Sequence, residues 1–343
     1  MRSVIAERSI IVCCGPGGVG KTTTSAALAL AAARLGRRAV VVTVDPARRL
    51  ADTLGLTGGL DNSPRRVNLA GVVGGELWAM MLDPSATFDD VVRANASSPD
   101  HAERILANGF YRNISERLSG TQEYMAAEKL HQLHHDDRFD LVVVDTPPSR
   151  NALDVLDAPE RLSRFLDHRL YRTLVLPSRG PMRVVNAAAQ LFLRSASKVF
   201  GGQALADAIT FFKTFDGMES GFRARSKEVL ALFRSPTTAY VVVTAPRRDR
   251  VEEVEWLIER LLDRGTHPAG LIVNRSHPVF LVPEPAGAGP AWDNLRNLAA
   301  VAAAETAVIA GLLSHVEAMP TVHVPLAAAE VDLEDVAARL VAD

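Results

Sequence analysis

The chain has 343 residues, of which 48% are hydrophobic and 23% are charged, an ordinary balance for a globular protein. Its formal net charge of −2 excludes an overall electrostatic drive towards nucleic acid or an anionic membrane, so no nucleic-acid partner is expected. The two cysteines, Cys13 and Cys14, are neighbours on one predicted strand, which excludes a disulfide framework and favours a reducing cytoplasm. Segment 1–9 is too polar for a signal peptide, and we expect the Ala-rich run 298–313 to fall short of a membrane span.

A glycine-rich loop follows the first predicted strand, Ile10–Cys14, and precedes a helix predicted over Thr24–Leu35. Its spacing matches G-x-x-x-x-G-K-[ST] in full, in the strand–loop–helix context that the phosphate-loop motif requires. Such glycines let backbone N–H groups face phosphate oxygens, and the helix N-terminus adds partial positive charge. Lys21 is expected to reach the β- and γ-phosphates, and the Thr22 hydroxyl to bind Mg²⁺. The loop residues predicted to bind nucleotide are Gly15, Gly17, Gly18, Val19, Gly20, Lys21, Thr22 and Thr23.

Strands and helices alternate along the rest of the chain. Short apolar runs predict strands over Ala39–Val44, Leu77–Leu82, Phe139–Val144, Ala239–Thr244, Leu271–Asn274 and Thr321–Val324. Helical patterns cover 83–137, 153–233 with an interruption near 176–181, Val251–Arg264, Ala291–His315 and Leu333–Val341. Residues 58–67 and 278–290 are rich in Gly, Asn or Pro and are predicted to be loops.

This alternation predicts an α/β fold with a doubly wound, mostly parallel sheet. The two long helical stretches predict a helical subdomain, formed by about 84–135 and 153–235, inserted in a single P-loop ATPase domain that spans 1–343.

Two aspartates follow predicted strands. Asp145 ends the run Leu141–Asp145, in which four buried apolar residues deliver a carboxylate, as in a Walker-B strand that holds a Mg²⁺ shell. Asp45 follows Ala39–Val44, at the carboxyl edge where open α/β sheets bind ligands. The ordinary alternative for Asp45 is a cap on the next helix.

The segment Asp145–Leu153, with the sequence DTPPSRNAL, resembles the second switch of the ArsA/Get family of P-loop ATPases, which belongs with the MinD/ParA/nitrogenase-iron-protein class. That family includes arsenite-efflux ATPases and ATPases that target tail-anchored membrane proteins. Further segments match its first switch, its adenine-reading segment and a later nucleotide-pocket turn: Asp45–Ala47, Gly270–Arg275 and Val324–Leu326. Two more, Gly120–Met125 and Leu156–Pro159, resemble an actinobacterial-type branch.

The resemblance implies a cytoplasmic, dimeric ATPase that uses ATP and Mg²⁺ and is linked to a membrane only through a partner or a membrane-protein client. It implies that Asp45 orients or activates the attacking water, so that Asp45 and Lys21 are the catalytic residues. Asp145 is implied to hold Mg²⁺ through water and Asn274 to read the adenine edge. Pro325 and Leu326 are implied to flank the base.

The chain departs from the family pattern in several places. Pro16 stands where the family has a lysine that reaches the partner's nucleotide across a dimer. The expected partner is therefore a second ArsA-like chain that supplies this lysine in a heterodimer, or a second copy of this chain in a homodimer. No C-x-x-C is present, which excludes a zinc-bridged dimer, and the arsenite-binding thiols are missing as well. Asn151 replaces a switch histidine, and no acidic residue occurs at 245–248.

Three other functions remain open. A nucleotide-binding regulatory subunit with little turnover is favoured by Pro16. A metalloid-efflux ATPase is disfavoured by the missing thiols. A P-loop kinase or ligase shares the same sheet topology.

Other sequence features have an ordinary explanation beside a functional one. His131, His134 and His135 have helical spacing that suits a metal, although a solvated helix end explains them better. The apolar run 182–222 predicts the core of the helical subdomain or a client groove. Arg48 and Arg49 either meet phosphate or form a solvated helix face.

Overall fold

The computed structural model describes residues 1–44, 49–69, 74–117, 120–167, 210, 219–283, 287–314, 319–327 and 332–342. The chain divides into two compact units. The first consists of Met1–Leu82, Gln132–Leu153 and Arg234–Asp343, and the second of Asp83–His131 and Asp154–Phe233.

An eight-stranded sheet forms the centre of the first unit, with the order β3-β4-β2-β5-β1-β6-β7-β8. The strands are β1 Ile10–Cys14, β2 Arg38–Thr43, β3 Arg65–Val67, β4 Glu76–Met81, β5 Leu141–Asp145, β6 Thr238–Thr244, β7 Pro268–Ser276 and β8 Thr321–Pro325. All neighbours pair in parallel except β3, which runs antiparallel to β4. The predicted α/β fold with a mostly parallel sheet is therefore confirmed.

The sequence prediction was wrong for β3, because 58–67 was expected to be a loop throughout. Arg65–Val67 pairs with Leu77–Ala79 at the edge of the sheet. Two of its three residues are exposed. A strand this short and this exposed has no hydrophobic alternation of its own, so only its tertiary pairing defines it.

The described helices are α1 Arg2–Glu7, α2 Lys21–Arg34, α3 Arg49–Thr53, α4 Pro84–Asn95, α5 Pro99–Leu106, α6 Gly109–Arg117, α7 Thr121–His134, α8 Ser149–Asp167, α9 Glu219–Phe233, α10 Arg248–Leu262, α11 Pro290–Ser314 and α12 Leu333–Val341. Helix α2 is almost entirely buried from Thr24 to Ala33. Its small alanines let it pack closely on the central strands, whose apolar residues are buried on both faces, as expected of a covered parallel sheet.

The second unit has its own apolar core, built from helical residues. Phe88, Tyr111, Tyr124, Met125 and Phe222 are all buried in it. Asp83 and Ser98 cap α4 and α5, each with its side chain accepting a hydrogen bond from a backbone N–H of the first turn. Most of the apolar run 182–222 lies outside the described residues, so the choice between core and client groove stays open for it.

Helix α11 is longer than the Ala-rich run that predicted it. With 25 residues, it is the one helix of the described residues that is long and apolar enough to cross a membrane, so the expectation that this run falls short was wrong on length and composition. This is weak evidence by itself, because a core helix of a soluble protein passes the same test. Only 17% of its most apolar window is buried.

Candidate functional site

The phosphate loop lies between β1 and α2, at the point where the chain order of the sheet reverses. From β1 the chain builds the sheet towards β2 and β4, returns to β5 beside β1, and then leaves towards β6, β7 and β8. Ligands of open α/β sheets bind at the carboxyl ends of the strands at such a switch point. The loop therefore occupies the usual ligand-binding position of this architecture.

Close packing requires glycine at both ends of the loop. A Cβ on Gly15 would lie 2.1 Å from the carbonyl oxygen of Val243 on β6. A Cβ on Gly20 would lie 2.2 Å from Nδ2 of Asn274, and Gly20 has a left-handed φ of 91° at the start of α2. Side chains at these positions would force the loop away from β6 and β7.

Lys21 folds back over the loop. The side chain is buried, and its Nζ donates hydrogen bonds to the carbonyl oxygens of Gly15 at 3.1 Å and Pro16 at 2.9 Å. The ammonium group is thus held against the backbone of the loop by two charged hydrogen bonds. Thr22 and Thr23 follow in the first turn of α2 and are half-buried.

Asp145 lies at the end of β5, between Cys13 on β1 and Thr43 on β2. Its side chain is 1% exposed, and its Oδ2 accepts hydrogen bonds from the hydroxyls of Thr22 at 2.8 Å and Thr43 at 3.0 Å. The carboxylate and the two hydroxyls offer only oxygen atoms as possible metal ligands, and oxygen ligands are those that Mg²⁺ prefers. The residues predicted to bind Mg²⁺, Thr22 and Asp145, are therefore brought together by the fold.

Two threonines of this cluster were missed by the sequence reading. Thr43 ends β2 at the same sheet edge as Asp145, and the Thr146 hydroxyl donates to the carbonyl oxygen of Cys13 at 2.7 Å. The second contact ties the start of the second switch segment to the strand that carries the phosphate loop. Polar residues at the carboxyl end of a buried parallel strand were the available signal for both.

Asn274 lies against the phosphate loop, near the end of β7. Its Nδ2 donates to the carbonyl oxygen of Val19 at 2.8 Å, and its Oδ1 accepts from the backbone N–H of Arg275 at 3.0 Å. An amide side chain has two N–H groups and two lone pairs on its oxygen, so one of each is left for a ligand. The Asn274 side chain can therefore still form the predicted hydrogen bonds with adenine.

Pro325 and Leu326 lie on the neighbouring strand end. Pro325 ends β8 opposite Ser276, and the Leu326 N–H donates to the Ser276 carbonyl oxygen at 2.8 Å. Leu326 is 46% exposed, whereas most leucines among the described residues are more deeply buried. An exposed apolar side chain at this edge is available to pack on a flat ring.

Several predicted positions lie outside what the structure describes. Asp45 and Arg48 belong to 45–48, which is outside the described residues, and so is the side chain of Asn151. Their roles stay predictions. Arg49 begins α3 and the helix continues to Thr53, with Leu50 and Ala51 buried.

The sequence of the chain matches a known protein family over nearly its whole length. The family model described as anion-transporting ATPase matches residues 8–341. The chain belongs to the anion-transporting ATPase (ArsA) family. The family identity and the P-loop confirm the sequence prediction of an ATP hydrolase.

Three curated relatives of this ATPase carry the name GET3. The chain is 27% identical over 298 residues to ATPase get3 of Neurospora crassa, covering 83% of this chain and 77% of the relative. It is 27% identical over 292 residues to ATPase GET3 of Chaetomium globosum, with coverage of 83% and 77%. The GET3 ATPase of Rhodotorula glutinis is 28% identical over 262 residues, covering 76% of this chain and 68% of the relative.

Neither cysteine of this ATPase is suited to bind a metalloid. Cys13 and Cys14 are buried strand residues, and burial raises the pKa of both thiols, that of Cys14 to about 12. Metalloid and metal ligands must be thiolates, so these thiols are held in the wrong protonation state. In the part of the chain that the structure describes, no group of three His, Cys, Asp or Glu side chains could hold a metal ion. The predicted solvated helix end was wrong for His131, which is buried with its Nε2 3.5 Å from Glu228, whereas His135 is exposed.

Proposed function

We propose that ATP binds with its phosphates on the loop 15–20 and its base between Asn274 and the Pro325–Leu326 turn. The hydrogen bond between Thr22 and Asp145 supports this proposal most directly, because it joins the phosphate-loop helix to the acidic strand end. Mg²⁺ would be held by the Thr22 hydroxyl directly and by Asp145 through water. The ion would neutralise phosphate charge during transfer to water.

Lys21 and Asp45 are the proposed catalytic residues. The Lys21 ammonium would exchange its contacts with two loop carbonyls for the β- and γ-phosphate oxygens. Asp45 would orient the attacking water and accept its proton. Asp45→Asn is therefore expected to leave ATP affinity near that of the wild type and to slow hydrolysis sharply. An equal loss of binding and turnover would show that Asp45 is a structural cap.

The wider proposal is a dimer whose switch segments convert the presence of the γ-phosphate into motion, for the handling of a membrane-linked client. Helix α8 begins four residues after Asp145 and supplies residues to both compact units, so the second switch is covalently continuous with the helical unit. The family resemblance supports client handling. The names of the three relatives above state neither a client nor an oligomeric state.

A second candidate is a nucleotide-binding regulatory subunit in a heterodimer. Pro16 favours it, because proline has neither an N–H nor a charge and cannot act on a partner's nucleotide as lysine does. This chain's nucleotide would receive the partner's lysine, while the partner's nucleotide would face Pro16. The comparisons lend no support to a heterodimer, so the homodimer is the simpler assembly.

Single-turnover hydrolysis of ATP by the purified full chain tests both candidates. The wild type should release phosphate, Lys21→Ala should not, and Lys227→Ala should match the wild type, because Lys227 is an exposed lysine of the helical unit. Undiminished hydrolysis by Lys21→Ala would overturn the proposed site. Negligible hydrolysis by the wild type, rescued by a second ArsA-like chain, would favour the regulatory subunit.

A further inference from the structure

Arg275 has an unusual backbone conformation, directly after the proposed base-reading residue. It is the one non-glycine residue of the described chain with a positive φ, at 60°. The pairing of β7 with β8 shifts at the same place, since Asn274 faces Val324 while Ser276 already faces Pro325. Arg275 is therefore the extra residue of a β-bulge, a feature that re-aims a side chain and recurs next to active sites.

The bulge directs the Arg275 side chain onto the phosphate loop. Its Nη1 donates to the carbonyl oxygen of Gly18 at 3.0 Å. Asn274 donates to the next carbonyl, that of Val19, at 2.8 Å. Two successive loop carbonyls, more than 250 residues away in sequence, are thus held by two successive side chains of β7.

Holding these carbonyls also fixes the direction of the neighbouring N–H groups. In a trans peptide the C=O of one residue and the N–H of the next point in opposite directions. With the carbonyls of Gly18 and Val19 turned towards β7, the N–H groups of Val19 and Gly20 point away from it. Lys21 holds the carbonyls of Gly15 and Pro16 at the other end of the loop in the same manner.

We propose that Arg275 is a positioning residue that presets the loop N–H groups for phosphate and couples them to the base site at Asn274. The inference rests on the proposed function, because it assumes that this loop binds the phosphates. A surface arginine without such a role would gain nothing from a left-handed conformation that L residues rarely adopt. The contact with Gly18 is what this conformation makes possible.

The test compares Arg275→Gly and Arg275→Asn, which keep the left-handed backbone but lose the guanidinium, with Arg275→Lys. Arg260→Ala is the matched control, since Arg260 is an exposed arginine on α10 that forms a salt bridge with Asp263. Binding of Mg-ATP and of inorganic tripolyphosphate, which has no base, should weaken about tenfold in the Gly and Asn variants, the size of a lost charged hydrogen bond. Arg275→Lys should recover most of the affinity, and Arg260→Ala should match the wild type.

The amide resonances of Val19 and Gly20 in the nucleotide-free protein give a second readout, because positioning must be visible before the ligand arrives. We expect them to shift in Arg275→Gly. Wild-type affinity in that variant, or weaker binding of ATP but not of tripolyphosphate, would overturn the inference. Weaker binding without a shift of the Val19 and Gly20 amide resonances would also overturn the inference, because the guanidinium would then act directly on the ligand. In each case the proposed function would stand as long as Lys21→Ala abolishes hydrolysis.

Discussion

The Thr22 hydroxyl lies 2.8 Å from Oδ2 of Asp145, although 123 residues separate them in the sequence. Thr22 belongs to the first turn of α2, and Asp145 ends β5. The contact joins the phosphate loop to the acidic strand end. Substitutions on either side of it should therefore act on nucleotide and metal together.

Asp145→Asn should weaken the binding of Mg²⁺, so that ATP hydrolysis needs a higher Mg²⁺ concentration. The amide keeps the shape of the side chain but removes the charge that would hold the metal's water shell. Groups that act on a metal through its outer shell are worth about 10–100-fold in affinity or activity. A Mg²⁺ titration of turnover measures the effect. Asp140→Asn is the control, since Asp140 precedes β5 at its other end and pairs with Arg38. Equal Mg²⁺ dependence in the two variants would contradict the metal assignment.

Gly20→Ala should weaken ATP binding at least about tenfold, which corresponds to about 1.4 kcal/mol. The new Cβ would lie 2.2 Å from Nδ2 of Asn274 and would push β7 and the loop apart. Gly36→Ala carries the same left-handed strain, with a φ of 85°, but its Cβ would meet no atom within 4 Å. Measuring the equilibrium affinity of both variants for ATP separates the effect of the steric clash with Asn274 from that of the backbone strain. Equal affinities would show that the close contact between Gly20 and Asn274 is dispensable.

Asn274→Ala should weaken ATP about tenfold and reduce the preference for ATP over GTP. The amide can pair with a donor and an acceptor on the adenine edge, and it also holds the Val19 carbonyl. Competition of ATP with GTP measures the preference, with Asn297→Ala on the exposed surface of α11 as the control. A uniform loss for both nucleotides would limit Asn274 to its contact with the loop and move base recognition elsewhere.

Pro16→Lys should raise the turnover of the chain on its own if the chain forms a face-to-face homodimer. A cation supplied across an interface is worth about 10³–10⁵ in kcat in other phosphoryl-transfer enzymes, so even a poorly placed lysine should give about a tenfold rise. The Pro16 carbonyl already binds Lys21, and a substitution keeps that carbonyl in place. Pro16→Ala controls for the loss of the proline ring. Fast hydrolysis by the wild-type chain, unchanged by any second ATPase, would rule out the heterodimer.

Arg225→Ala should destabilise the helical unit by about 3 kcal/mol. The Glu128 carboxylate is fully buried, and its Oε1 accepts a hydrogen bond from Arg225 at 3.0 Å. Breaking a buried pair by removing one partner leaves a desolvated charge, whereas an exposed pair contributes about 0–1 kcal/mol. Arg223→Ala breaks such an exposed pair, with Asp167, and serves as the control. Thermal unfolding that shifts equally in both variants would contradict the buried role of Glu128.

The phosphate loop and most strands could be predicted because their signals are local. Ile10–Cys14 was predicted with its observed bounds, and each apolar strand was placed to within a few residues. Buried parallel strands are continuous apolar runs, which stand out in the sequence without any tertiary knowledge. Arg65–Val67 was missed for the opposite reason, because its pairing partner alone makes it a strand.

Contacts within the site could not be predicted, since they join distant segments at particular angles. The left-handed conformation of Arg275 depends on a bulge, and no residue type at that position signals one. The approach of Asn274 to Gly20 likewise depends on how β7 and α2 pack. Sequence patterns identified which residue types gather at the sheet edge, and the packing decides which atoms touch.

The contacts of the Lys21 ammonium with the carbonyls of Gly15 and Pro16 make the loop a competitor of its own ligand. An incoming anion must replace two hydrogen bonds before it gains the ammonium, so a small anion with little charge gains little. A polyphosphate chain can offer several oxygens to the ammonium and to the loop N–H groups at once, and it overcomes this internal competition. A ligand that offers several phosphate oxygens is therefore favoured over one that offers few, and the contacts of Lys21 with the two carbonyls set part of this preference.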